Sequence, residues 1–273
     1  MAANQNELPR PIRVVVFGGG PVLERGIKQF LCRLEAHPDI EFLGAFCQSK
    51  SQSFGAMVGD LWRRRRFLAA PLLLVQLGGT FGRYLSQSRY EIKLNRQLAL
   101  LSKRIHFVPD IHAQDVLACV RTQAPDLGLI YGSPILKPEL FDIPAFGTLG
   151  IHHGKVPEYR GKKTTFWAMY NGEKTAGVTI QKINAGLDTG QVVQAEEVPI
   201  GYRSLGAVWR DLEALGLDLY IQAILEVRQG TASYRPQMGQ KGKLYRDPKL
   251  SDILTFWRRR FRSCFKSSGY RPR

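Results

Sequence analysis

The sequence predicts an α/β fold with a mostly parallel sheet and helices on its faces. Three observations predict it. IRVVVFGGGP (12–21) is a β-branched run that ends in glycines, which reads as a buried strand closed by a tight turn. VLERGIKQFLCRLEAH follows, with Val22, Leu23, Ile27, Phe30, Leu31 and Leu34 at helical spacing. IEFLGAFCQ (40–48) reads as a second strand, and strand, helix and strand in that order make a βαβ unit, which joins parallel strands.

The same rhythm returns later. RIHFVP is a short strand, AQDVLACVRTQA a helix, and DLGLIYGSPIL a strand running into a Gly-Ser-Pro loop. KPELFDIP is a helical turn and FGTLGIHH another strand. AGVTIQKINAGLDTGQVVQAEEVPI alternates apolar and polar residues as two strands joined by a glycine-containing loop. SLGAVWRDLEALGLDLYIQAILEVRQG is a long amphipathic helix opened by Ser204 and closed by Gly230. Beyond about 232 the chain is rich in Gly, Lys and Arg and shows little periodicity.

The glycine turn does not make a dinucleotide site. Gly18 and Gly20 fit the start of that fingerprint, but Leu23 stands where its third glycine belongs. Cys47 and Gln48 close the second strand, where a ribose-binding carboxylate is needed.

Four cysteines, Cys32, Cys47, Cys119 and Cys264, show no C-x-x-C spacing. That argues against a zinc ribbon or a disulfide framework, so no metal is expected and the thiols are read as free. The start MAANQNELPRP has no basic-then-apolar signal pattern, and a cytoplasmic protein is expected.

Charge is localised. Residues 61–104 hold ten Lys/Arg against the single acid Glu91, and residues 257–273 hold seven Lys/Arg and no acid. Together they account for the whole formal net charge of +16. The first patch contains LWRRRRFLAAPLLLVQL, too short and too interrupted for a membrane span. It reads as a helical insertion with a solvated basic face, or as an interfacial segment with Phe67, Leu72, Leu73 and Leu74 turned toward lipid.

Open α/β sheets place ligands beyond the carboxyl ends of their strands. Three segments end there with permissive or reactive groups: Tyr131-Gly132-Ser133-Pro134, His152-His153-Gly154 and Leu187-Asp188-Thr189-Gly190. A histidine with a carboxylate beside it is a sound general base near pH 7, and it also occurs as a structural histidine next to a turn-capping aspartate.

At this point the residues resemble a family. GIHHGKVPEYRG followed by GLDTGQVV is similar to the folate-dependent formyltransferases, which include methionyl-tRNA formyltransferases and amino-sugar N-formyltransferases. PDLGLIYGSPILKPELFDIPAFGTLGIH upstream and WAMYNGEKTAGVTIQKINAGLDTG downstream extend the likeness over roughly residues 12–200. The resemblance implies a Rossmann-like formyltransferase fold. It places a catalytic domain over 1–200, with the insertion at about 61–104, and a C-terminal helix and basic tail over 201–273. It implies 10-formyltetrahydrofolate as formyl donor, with His152 and Asp188 catalytic. Backbone of the loop Ser133, Pro134, Ile135 and Leu136 would bind the pterin. The loop from Asn184 through Leu187, Thr189 and Gly190 would close over the donor. Pro157, Tyr159, Arg160 and Gly161 would form the turn bordering the site.

One position departs. Gly150 stands where the family has an asparagine whose amide donates to the formyl oxygen. Losing such a donor costs about 2.7–4 kcal/mol, or roughly 10²–10³ in rate. His153 is expected to take over that role, with Lys155 as the other candidate. Lys155, Tyr159, Arg160, Lys162 and Lys163 are expected to line an anionic acceptor.

The tRNA enzymes of the family carry a further β-barrel domain, for which the chain beyond 200 is expected to be too short. The ribonucleotide enzymes lack the 61–104 insertion. The expected acceptor is therefore a small amine, such as a nucleotide-linked or phosphorylated amino sugar. The basic patches at 61–104 and 257–273 are expected to meet an anionic membrane surface or a phosphorylated carrier, which would make the protein peripheral. Two other readings stay open: a nucleic-acid binder that keeps the fold without catalysis, and a transferase for another one-carbon or acyl donor.

Overall fold

The computed structural model describes residues 10–20, 23–49, 89–239 and 242–267 of the 273. In chain order the elements are β1 (Ile12–Gly19), α1 (Arg25–Ala36), β2 (Ile40–Gln48), α2 (Arg89–Leu101), β3 (Ile105–Val108) and α3 (Gln114–Gln123). Then come β4 (Leu127–Tyr131), α4 (Pro138–Phe141), β5 (Thr148–His152), β6 (Tyr159–Gly161), α5 (Thr164–Asn171), β7 (Thr175–Lys182) and β8 (Val192–Pro199). The chain closes with α6 (Leu205–Arg228), β9 (Lys243–Tyr245) and α7 (Leu250–Ser267).

Seven strands form one sheet in the order β3-β2-β1-β4-β5-β7-β8. The first five are mutually parallel, and β7 runs antiparallel between β5 and β8. β6 and β9 pair separately as a short parallel ribbon. Parallel strands covered on both faces read as continuous apolar runs, and Val14 to Phe17 of β1 are fully buried. The predicted mostly parallel sheet with flanking helices is the observed fold.

α1 and α6 cover one face. Ile27, Phe30, Leu31 and Leu34 of α1 are buried, as their spacing predicts. The Ala207 N–H donates to Ser204 Oγ at 3.2 Å and caps α6. Phe30 stacks on Tyr220 of α6 at 4.6 Å, and the Tyr220 hydroxyl reaches the carbonyls of Leu149 (2.8 Å) and Ile130 (3.1 Å). Each such large apolar side chain contributes about 1.5–3 kcal/mol on burial. α3 and α4 cover the other face through Val116, Leu117, Val120, Leu140 and Phe141.

The boundary expected at 200 falls inside this packing, because α6 shares one apolar core with β7, β8 and β1. Of the expected insertion, residues up to 88 lie outside the described ones, and the interfacial reading of Phe67 and Leu72–Leu74 falls there. The remainder is α2, whose Leu94, Leu98 and Leu101 are buried. The tail read as aperiodic contains β9 and the eighteen-residue α7. Among the described side chains of α7, Phe256 is buried against Phe166 at 4.9 Å, and the helical spacing of Leu250, Ile253 and Trp257 was obscured by the arginines around them. Cys32, Cys47 and Cys119 are free thiols, and burial pushes that of Cys47 up to about 11.

Candidate active site

His152 is the last residue of β5 and is buried. Its Nε2 lies 2.7 Å from the Tyr159 carbonyl, and its Nδ1 lies 3.5 Å from Asp188 Oδ1. The carbonyl can only accept, so the neutral ring carries its proton on Nε2 and presents the Nδ1 lone pair toward Asp188. Gly154 makes this possible. A Cβ there would lie 2.6 Å from the Tyr159 carbonyl oxygen and would crowd His152 Nε2.

Asp188 comes from the β7–β8 loop, which curls back across the sheet face. Its Oδ2 accepts the Gly161 N–H at 2.7 Å, and its Oδ1 also accepts Gln181 Nε2 at 3.2 Å. The backbone of Asp188 is left-handed (φ 49°), a conformation held by these contacts and one that non-glycine residues adopt chiefly at constrained sites. Burial lowers the His152 pKa; Asp188 and the Tyr159 carbonyl oppose that shift without cancelling it.

The loop residues expected to close over a donor are knit to one another. Asn184 Oδ1 accepts from Thr189 Oγ1 (2.9 Å) and the Gly186 N–H (3.0 Å). Gly190 passes so close to the Lys182 carbonyl that a Cβ would overlap it. Arg160, expected at an anionic acceptor, donates instead to the Leu187 carbonyl at 2.6 and 3.1 Å. Gln237, beyond α6, donates to the carbonyls of Gly190 (2.8 Å) and Asp188 (3.1 Å) and to Gln181 Oε1 (3.3 Å).

On the β4 loop, Ser133 Oγ donates to the Pro134 carbonyl at 2.7 Å, and Leu136 is buried in the core. Gly19 lets this loop approach β1, since a Cβ there would lie 2.6 Å from the Gly132 carbonyl oxygen. Ile135 and Leu187, one on each expected donor loop, remain 72% and 40% exposed. Large apolar side chains left open on both loops fit a flat aromatic ligand.

The other predicted residues divide. Lys155 pairs with Glu197 at 2.8 Å and Lys162 lies 3.9 Å from Asp247. Lys163 is exposed at the start of α5. The Tyr159 ring is buried, stacked on Tyr245 and donating to Glu173 at 2.8 Å. What Tyr159 offers the site is its carbonyl. His153 does not join His152. Its ring turns to the α6 side, with Nε2 2.9 Å from Glu213 Oε2 and the ring 4.5 Å from that of Trp209. It is therefore not the replacement for the amide missing at Gly150, because successive residues leaving a strand point to opposite faces. Tyr131 donates its hydroxyl to Glu213 Oε1. Burial works against the charged Glu213, but His153 and Tyr131 hold its carboxyl below the usual range.

Sequence reasoning missed Glu213, Gln181 and Gln237. Trp209 and Glu213, one helical turn apart on an otherwise apolar side of α6, were a readable signal. So was the glutamine interrupting the buried run GVTIQK.

An imidazole faces a carboxylate at the carboxyl end of a strand in a mostly parallel sheet, an arrangement chemically able to move a proton on an open α/β fold. The family model described as formyl transferase matches residues 82–224, more than half of the chain, and the chain belongs to that family. It is 34% identical over 154 residues to a methionyl-tRNA formyltransferase of Pelotomaculum thermopropionicum, covering 55% of this chain and 49% of that protein. A methionyl-tRNA formyltransferase of Chlamydia muridarum is 34% identical over 161 residues, covering 57% and 50%. The chain thus spans about half the length of the curated relatives it matches. A sugar N-formyltransferase from a Shewanella species shares the fold at TM-score 0.57 and 15% identity, covering 90% of this chain and 87% of that one. A phosphoribosylglycinamide formyltransferase from Anaplasma phagocytophilum does so at TM-score 0.57 and 14% identity, covering 88% and 98%.

Proposed function

We propose that this chain transfers a formyl group from 10-formyltetrahydrofolate to a primary amine. The observation that carries the reading is the meeting of His152 and Asp188 at the end of β5 in a chain of the formyl transferase family. The folate donor supplies a formyl group on a nitrogen that departs once it is protonated. Backbone of Ser133–Leu136 and the loop Asn184–Gly190 would hold it, against Ile135 and Leu187.

Burial keeps His152 neutral, with Nδ1 free to act as a base near pH 7. As the bond from the acceptor nitrogen to the formyl carbon forms, the carbonyl π pair moves onto the formyl oxygen and the amine proton passes to Nδ1. From there the proton goes on to the folate nitrogen, whose bond to the formyl carbon then breaks as the oxygen pair re-forms the carbonyl. Asp188 Oδ1 faces Nδ1 and stabilises the imidazolium in between. Tyr159 fixes the ring through Nε2.

For the acceptor, the reading is an amine on a small hydroxylated molecule, a nucleotide-linked or phosphorylated amino sugar. Its support is the group of Glu213, His153 and Tyr131 beside the half-exposed Trp209. The open indole face of Trp209 suits a sugar ring, and because His152 and His153 leave β5 on opposite sides, the acceptor amine would reach round the carboxyl end of the strand to Nδ1. The second reading is methionyl-tRNA, favoured by the relatives' 34% identity. The test incubates the full chain with donor and a panel of nucleotide-linked amino sugars, methionyl-tRNA and glycinamide ribonucleotide, and measures tetrahydrofolate released. Release with an amino sugar supports the first reading, and release with methionyl-tRNA alone replaces it with the second. A chain that neither binds nor consumes the donor, yet binds RNA with a steep salt dependence, is the nucleic-acid protein instead.

Peripheral association with an anionic surface belongs to the same proposal. α7 leaves Leu250, Leu254 and Trp257 exposed along one stripe beside Arg258. No helix among the described residues is long and apolar enough to cross a membrane. Sedimentation with anionic but not neutral vesicles at low salt supports it, and none with either removes it.

A further inference from the structure

We infer that Gln181 is the carboxamide of the reaction centre, a catalytic residue that steadies Asp188 with one amide hydrogen and polarises the formyl oxygen with the other. The inference rests on the formyl-transfer reading above and adds a residue to it. Gln181 lies in β7 directly opposite Gly150 of β5, and its neighbour in the ladder, Thr179, lies opposite His152. Paired residues of an antiparallel ladder share a face, so Gln181, Gly150 and His152 all address the side where Asp188 sits. Gly150 brings no side chain to that side. A Cβ there would lie 2.7 Å from Ile183 Cδ1, so the space next to the backbone is taken by a methyl group and a longer residue there has no room as things stand.

The polar group that does reach the site comes from the next strand. Gln181 is 3% exposed; of the two buried polar side chains of β7, Thr179 spends its hydroxyl on the Gly154 carbonyl at 2.9 Å, while Gln181 turns to the site. Its orientation is set at both ends: Oε1 accepts from Gln237, and Nε2 donates to Asp188 Oδ1. That same Oδ1 faces His152 Nδ1, so the amide nitrogen and the imidazole converge on one oxygen. The second amide hydrogen of Gln181 has no partner among the described residues. A buried N–H fixed beside the base is a preorganised donor for charge developing on a carbonyl oxygen. Negative charge on the formyl oxygen during attack by the amine is met there, while the amine proton goes to His152.

The experiment uses the full chain and two readouts. In the first, Gln181→Met, close in shape but without donors, is compared with wild type for tetrahydrofolate release. The expected result is a fall of about 10²–10³ in kcat with little change in KM for the donor. Adding Gly150→Asn with Ile183→Val, which removes the obstructing methyl and restores an amide from β5, recovers at least tenfold. The second readout needs no turnover. NMR titration of the His152 ring should show its pKa rise in Gln181→Met, because Asp188 Oδ1 loses a competing donor. Wild-type turnover with an unchanged kcat in Gln181→Met overturns the inference while leaving the formyl-transfer reading intact. An unmoved His152 titration overturns the shared-oxygen geometry. Failure of the Gly150→Asn variant to recover activity reduces Gln181 to a prop for the aspartate loop. A wild-type chain that releases no tetrahydrofolate with any acceptor removes the formyl-transfer reading itself, and this role with it.

Discussion

Glu213 Oε2 lies 2.9 Å from His153 Nε2 on the α6 side of β5, while Asp188 faces His152 from the opposite side. Neighbouring histidines therefore each meet a carboxylate, one on either flank of the strand. If the α6 side receives the acceptor, Glu213→Gln weakens its binding and spares the chemistry. Hydrogen bonds to charged groups are worth about 1.5–3 kcal/mol, so KM for the acceptor rises about 10- to 100-fold at nearly constant kcat. Initial rates over a range of acceptor concentration check this, and an unchanged KM rules out contact.

Asp188→Asn keeps the size of the side chain and removes its charge. The imidazolium at His152 then loses its counter-ion, and kcat falls by about 10²–10⁴. Circular dichroism should stay that of the wild type. A variant retaining a tenth of the activity or more would remove Asp188 from the chemistry.

Acid should unmask the burial of His152. Its folded-state pKa is depressed below the usual value of about 6.5, so between the two values the unfolded chain binds more protons than the folded one. Its contribution to stability is thus complete above about 6.5 and declines as the pH drops toward the folded value. Activity that needs the neutral ring should persist somewhat below pH 6.5. Urea midpoints and kcat/KM measured across the same pH series test both, and a kcat/KM midpoint above 6.5 contradicts the depressed value.

Tyr220→Phe deletes one oxygen from the core. The carbonyls of Leu149 and Ile130 lose its hydroxyl as a partner, which costs about 1–3 kcal/mol of stability while the Phe30 stack remains. Denaturant unfolding measures the loss, and a change under 0.5 kcal/mol would mean that solvent replaces the hydroxyl.

Much of this architecture was legible in the sequence because its strands carry a plain pattern. The runs at 12–19, 40–48 and 175–182 are apolar or alternating, and each is bounded by glycine or polar turns. That His152 and Asp188 meet was legible through the motifs around them. Gln181 and Glu213 were not, because their meaning depends on register and on helix packing. A glutamine opposite Gly150 becomes significant only once β7 is known to run antiparallel to β5. α7 was missed for a different reason: its apolar positions, among them Leu250, Ile253, Phe256 and Trp257, are set among the arginines that dominate the composition of the tail.

The grip of Gln237 on Gly190, Asp188 and Gln181 has a consequence for how this protein comes into being. The segment that fastens the aspartate leaves the ribosome after both strands and the long helix that shape the cavity. A nascent chain arrested at residue 230 would hold its sheet and its histidine and still be chemically idle. Competence would arrive late, with the segment around Arg235 and Gln237 laid alongside Val192 of β8, so that partly made copies stay silent.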